Sequence, residues 1–306
     1  MSKEIQSGYK IKTYEEKFIE TQAQIGTEVT SNWTFYGQTP AEGLKRNYSQ
    51  SDFDPSTRFY AFTQDEMVGF LTSRIEEEED KKTAILAPPL AKKGHEDAQK
   101  SLIKHALSVL SEKGVKKVTA NLGIDWGNYK DLLNQFDFQK QEVTSHLAKT
   151  PASSIKISKL LDPVDIIPYD KDRDSKDTMT MLIDSFNFSE EQAKTQVERF
   201  NNNEIPTLIS LLVTRKDNRT IAACASYKFS GEKSAIISRM SVIAGTKNFM
   251  NLRSQFLKAL IKDCTEKGYE EIAVSVETKE VSDFNEKFSK LGLKAEPIIT
   301  RYMKEL

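Results

Sequence analysis

The chain has 306 residues, too many for one ordinary core and suited to two domains of about 150 residues each. Its 38% hydrophobic and 29% charged residues describe a globular protein with a heavily solvated surface, and a net charge of -1 gives no reason to expect nucleic acid as a partner. No apolar run is long enough to span a bilayer, the N-terminus lacks a signal-peptide core, and Cys224 and Cys264 make no disulfide framework, so the expected location is the cytoplasm.

In chain order, 9–14 alternates as a strand and 15–27 as a helix. Thr39-Pro40-Ala41-Glu42 carries an N-cap, a proline at the first helical position and an acidic first turn. Segments 58–62, 67–75 and 83–87 are strands separated by charged turns, the last stopped by Pro88-Pro89. A helix, a strand, a helix and a strand then close a unit near Lys149. The small polar run 151–154 is the linker, dividing the chain into domains 1–150 and 155–306. The second half repeats the plan: a strand at 165–167, helices at 175–186 and 190–200 (the latter capped by Ser189), and a meander of strands at 207–215, 220–229 and 234–244. A long helix to Lys267, a strand at 271–276, a helix at 282–291 and a final strand complete it.

The two halves also align residue by residue. Segment 102–114 matches 256–268 without a gap, and Lys104, Glu112, Lys113 and Gly114 recur as Lys258, Glu266, Lys267 and Gly268. Further on, 146–149 sits opposite 301–304. A repeat of this length is a duplicated domain rather than a solenoid.

Strand, two helices, a meander, helix, strand, helix, strand: that order, twice over, resembles the GCN5-related N-acetyltransferase fold. The expected class is therefore α/β, two tandem domains of this kind, each a mostly antiparallel mixed sheet flanked by helices. The resemblance implies acetyl-CoA as cosubstrate and direct transfer to an amine whose identity the residues do not specify. In that family a turn of the form Arg/Gln-x-x-Gly-x-Gly/Ala, at the start of the third helix, holds the pyrophosphate through backbone N–H groups and the helix dipole. The first half offers Ala87, Lys92, Lys93, Gly94, His95 and Ala98 there, with Glu96 in place of glycine. The second offers Met240, Val242, Gly245, Thr246, Lys247 and Asn248, with Met250 and Leu252 where small residues are usual. Two adjacent lysines before Gly94 favour the first half as the donor site.

The family's thiolate-protonating tyrosine is Phe288 in the second half and Leu133 in the first. Tyr129, one helical turn before Leu133, is the candidate to replace it. Glu277, ending the fifth strand of the second half, is the candidate base, acting directly or through water. Trp33, Phe35 and Tyr36 fall where the family often builds its acceptor wall, although aromatics there also read as core. His95, His105 and His146 have no ligand spacing with the cysteines, so no metal is expected. Two other readings stay open: a catalytically silent acyl-CoA-binding or protein-interaction module on the same scaffold, or one half binding the donor while the other supports the acceptor cleft.

Overall fold

The computed structural model describes residues 8–78, 81–155, 165–229, 232–246 and 249–306. Two compact units form: Met1–Thr144 together with Ile298–Leu306, and Ser145–Pro297. The first unit runs β1 (Lys10–Thr13), α1 (Ile19–Thr30), α2 (Ala41–Tyr48), β2 (Arg58–Thr63), β3 (Glu66–Glu78), β4 (Lys81–Leu86), β5 (Leu90–Ala91), α3 (Asp97–Glu112), β6 (Lys117–Gly123) and α4 (Tyr129–Gln135). Strand β7 (Gln139–Pro151) leads into β8 (Ile166–Pro168), α5 (Lys171–Phe186), α6 (Glu190–Asn201), β9 (Leu208–Lys216), β10 (Arg219–Phe229), β11 (Ser234–Ile237) and β12 (Ser241–Val242). The chain ends with α7 (Phe249–Glu266), β13 (Glu271–Glu277), α8 (Val281–Phe288) and β14 (Ala295–Glu305). No described helix is long and apolar enough to cross a membrane.

The repeat seen in the sequence is a repeat of packing. Leu102, Ile103, Ala106, Leu107 and Leu110 turn one face of α3 into the first core, and Phe256, Leu257, Leu260, Ile261 and Cys264 do the same from the aligned positions of α7. Both helices end alike. The N–H of Gly114 reaches the carbonyl of Ser111 and that of Val115 the carbonyl of Leu110; Gly268 and Tyr269 bond Thr265 and Cys264 in the same way. Each is a Schellman cap, and Gly114 and Gly268 supply the positive φ it demands.

The sheets also correspond. The first unit orders its strands β1-β2-β3-β4-β6-β14, the second β8-β9-β10-β11-β13-β7. Only β4/β6 and β11/β13 are parallel; the other described pairings are antiparallel. The last strand in each of these two orders comes from the end of the other half. Ile299–Glu305 pairs with Lys117–Gly123 in the first unit, and Ser145–Pro151 pairs with Glu271–Glu277 in the second. The run 151–154 is thus no free linker: Pro151 ends a paired strand, and Ala152 and Ile155 are buried in the second core.

Two further elements differ from the sequence reading. Helix α5 starts at Lys171, four residues early, because the Asp170 carboxylate caps it by accepting from the N–H groups of Asp172 and Arg173. The strand expected over 234–244 is broken: β11 stops at Ile237 and pairing resumes only at Ser241, now with β10 alone.

Candidate active site

That break makes a cleft. In the second unit β11 runs beside β13 as far as Ile237↔Val274; beyond that point β12 stays on β10, while Ser275–Glu277 continues beside β7. The first unit parts in the same way. Strand β4 leaves β6 after Leu86↔Ala120, β5 stays on β3, and Asn121–Gly123 continues beside β14. Each unit therefore has two diverging strand arms with a helix, α3 or α7, starting between them.

The first cleft is bridged. Gln99, in the first turn of α3, donates to the carbonyl of Pro89 on one arm (2.9 Å) and accepts from the Asn128 amide beyond the other (3.1 Å). The edge that could serve an extended ligand carries Pro88 and Pro89, which have no N–H to offer. At the end of β6 the Trp126 indole lies so close to Gly123 that a Cβ there would meet it at 2.2 Å. Trp126 stacks on Trp33 at 5.7 Å, packs edge-on against Tyr36 at 5.0 Å, and donates its N–H to the carbonyl of Thr34.

The helix start of that unit is occupied as well. Glu96 turns back to accept from the N–H of Gly94 at 3.0 Å, and backbone hydrogen bonds hold its carboxyl below the ordinary value. An internal carboxylate thus sits where an anionic ligand would draw on the same N–H. Lys92 is paired with Glu66 at 2.6 Å, its own N–H goes to Val68, and Lys93 is exposed. Ala87 donates to Thr72, His95 meets the Tyr9 hydroxyl, and Ala98 is buried.

Tyr129 lies on the face its spacing implied, but it is 2% exposed and its hydroxyl has no partner among the described residues. Burial pushes the phenol well above its ordinary value. It cannot exchange a proton with a substrate it does not reach, so this candidate acid is packing.

The second cleft is open. A cavity of about 480 Å³ lies along it, lined by Met240, Val242, Ala244, Phe249 and Glu277 together with Asp184 and Ser185 of α5. Arg253 occupies the place in the repeat that Gln99 holds in the first unit, yet among the described residues it ties to one arm only. It donates to the carbonyl of Ser275 (2.7 Å) and pairs with Glu280 (2.9 Å). Both partners are almost wholly buried, and burial raises the Glu280 carboxyl against the pull of Arg253. Across the cleft, Ser185 Oγ accepts from the N–H of Val242 and donates to its carbonyl, and Asp184 accepts from the N–H of Ala244.

Met240 is buried, Gly245 is exposed with φ 81°, and Thr246 bonds back to the carbonyl of Ile243. Lys247 and Asn248 lie outside the described residues. Glu277, the candidate base, ends β13. It is half-buried, in contact with Arg239 Nε and 3.0 Å from Lys279.

Arg239 carried no signal in the sequence, yet it lines two cavities. Its guanidinium packs over the Phe186 ring at 5.0 Å and lines the 480 Å³ cleft on one side. On the other it lines a second cavity of about 320 Å³ walled by α5, α6 and the inner face of β10. Cys224 contributes to the lining of that cavity but belongs to the core beneath α7; burial pushes its thiol up to about 12 and it donates to the carbonyl of Ser238. It is no nucleophile at neutral pH.

Helix α5 is set by a buried carboxylate. Asp174 receives Arg173, Arg215 and Thr220 at 2.6 to 2.9 Å, pinning the helix to the β9–β10 hairpin. Burial works against its charge, but these hydrogen bonds prevail and hold its carboxyl well below the ordinary range.

No family profile matches the chain, and no curated protein is similar enough in sequence to match. Solved structures do match. A tandem GNAT protein from the clavulanic acid biosynthesis pathway is 10% identical with a TM-score of 0.66, covering 97% of this chain and 98% of that one. A GNAT-family acetyltransferase from Colwellia psychrerythraea is 16% identical (TM-score 0.59; 96% and 99% covered). The N-myristoyltransferase of Saccharomyces cerevisiae, solved with bound myristoyl-CoA, is 8% identical (TM-score 0.55; 98% and 79% covered). The chain is therefore built on a duplicated GCN5-related N-acetyltransferase fold.

Proposed function

We propose that this duplicated fold works as an acyl-CoA-dependent acyltransferase with its single working cleft in the second unit. The observation that carries the reading is the pair of cavities on the two sides of segment 238–242, both lined by Arg239, set against a first cleft bridged by Gln99 with Trp126 packed against its end. The donor, acetyl-CoA in the simplest case, would lie along the arm formed by Met240, Val242 and Gly245, with its phosphates toward Thr246 and the start of α7. The acceptor amine would approach from the smaller cavity.

The chemistry needs little from side chains. The amine must arrive without its proton and be held against the thioester carbonyl, and positioning supplies much of the rate. Glu277, paired with Arg239 and Lys279, suits a group that receives that proton directly or through water. The inert thiol of Cys224 argues for direct transfer rather than an acyl-enzyme. Two buried free thiols also accord with a cytoplasmic setting.

One observation favours the silent-module reading. The Val242 and Ala244 edge groups that a pantetheine would use are already bonded to Ser185 and Asp184. Titration calorimetry with acetyl-CoA, combined with a thiol-release assay over a panel of amines, separates the two. Binding with turnover supports the transferase, binding without turnover supports the silent module, and no binding removes both.

A further inference from the structure

We infer that the 320 Å³ cavity of the second unit is shaped for a small arylalkylamine carrying a hydrogen-bonding group on its ring. This rests on the reading of the second cleft as the working site. The volume is at the lower end for small-molecule pockets, which suits one ring and a short side chain. Phe186, Phe188, Phe200 and Tyr227 line it, and Leu182 and Leu211 complete an apolar wall. Aromatic faces of this kind favour a flat ring through offset and edge contacts.

Thr178 supplies the feature that selects one class of ring. It lines the cavity from α5, is 1% exposed, and its hydroxyl has no hydrogen-bond partner among the described residues. A buried polar atom without a partner is rare in a native protein and calls for an explanation. A phenolic hydroxyl entering the cavity provides one, because each hydroxyl can donate to and accept from the other.

The charge pattern points the other end of the ligand. Among the described residues lining this cavity, Arg239 is the one basic or acidic side chain, and it also lines the donor cleft. A polycation such as spermidine, or the lysine side chain of a basic peptide, would bring a second positive charge into an apolar cavity with no carboxylate to receive it. An arylalkylamine carries its single amine at the other end, clear of the apolar wall and toward the Glu277 carboxylate that lines the neighbouring cleft. There the ammonium gives one proton to Glu277 or water, and the nitrogen lone pair forms the C–N bond as the C–S bond breaks. The products are an amide, a free thiol and one released proton.

The test is titration of the whole chain with tyramine, phenethylamine and spermidine, first without any acyl-CoA and then as substrates beside acetyl-CoA. Tyramine should bind about tenfold more tightly than phenethylamine, with spermidine weakest. Thr178→Val should abolish the preference for tyramine while leaving phenethylamine unchanged, and should raise the melting temperature because it removes an unpaired buried hydroxyl. Equal affinity for the two arylamines, or preference for spermidine, overturns the inference. Acetylation of spermidine but of neither arylamine overturns it while the transferase reading stands. Arylamine binding with the expected Thr178 dependence but no acetyl transfer does the reverse. Should Thr178→Val fail to fold, Leu182→Trp fills the same cavity and should abolish arylamine binding; retained binding in that variant overturns the inference.

Discussion

Gln99 and Arg253 hold the same place in the two copies of the repeat, and the difference between them is the difference between the units. Gln99 joins both arms of its cleft, from Pro89 to Asn128. Arg253 is longer and charged, and it turns toward one arm, pairing with the buried Glu280 and donating to the carbonyl of Ser275. Around each residue the rest follows suit. The first unit places Glu96 on its own loop N–H and Trp126 against Gly123, while the second leaves a cavity. A duplicated core keeps the scaffold in both copies, whereas the cleft depends on a few polar side chains that either close it or leave it open.

The largest effect should come from separating the halves. Each unit takes the last strand of its order from the far half of the sequence, so cutting at 152–154 leaves the first fragment without 298–306 and the second without 145–151. Neither fragment should fold alone, and co-expression should restore cooperative melting by circular dichroism. Two independently folded fragments would show that the exchanged strands are dispensable and that the units are simpler than their sheets imply.

Next in size is Asp174→Asn, which leaves Arg215 without its buried partner and should cost about 3 kcal/mol. The pH dependence carries the signature. Asp174 titrates below its ordinary value of 3.8, so its contribution is complete above that pH and is lost as pH falls through the folded value. The gap in stability between the two proteins should therefore narrow below about pH 4 in denaturant titrations. The same substitution in a surface carboxylate should show no such convergence.

A smaller effect is expected at Ser185. Removing its hydroxyl frees the N–H and carbonyl of Val242 for an extended donor. Ser185→Ala should tighten acyl-CoA binding by about fivefold, the equivalent of one hydrogen bond of about 1 kcal/mol. Weaker binding would mean that Ser185 touches the donor itself.

Much of the scaffold was legible in the sequence, and particular residues show where legibility stopped. The Lys-Gly ends of α3 and α7 and the shared burial register of the two helices follow from local pattern. The strand exchange does not. Segments 146–149 and 301–304 are equivalent in the repeat, so either could close either sheet, and only tertiary pairing decides. The break at 238–240 was hidden because no glycine or proline marks it between Ile237 and Ser241.

The sequence reading and the proposal differ on the donor loop for an electrostatic reason. Counting Lys92 and Lys93 favoured the first half, but Lys92 is spent on Glu66, and Glu96 takes the N–H of Gly94. Tyr129 had the right face and no exposure. Arg253 could have been found by aligning it with Gln99, since a buried polar position that changes from neutral to charged between copies marks divergence. Arg239, Thr178 and Ser185 had no comparable signal, because their roles depend on which helix and which strand come together.

The placement of the donor in the second unit is tested most directly by a pair of charge substitutions read by calorimetry with acetyl-CoA. Thr246→Glu puts a carboxylate at the loop before α7 and should weaken binding about tenfold or more, at least 1.4 kcal/mol. Lys93→Glu, at the corresponding loop of the first unit, should leave the affinity unchanged. Loss of binding with Lys93→Glu and retention with Thr246→Glu would put the donor in the first unit and contradict the assignment.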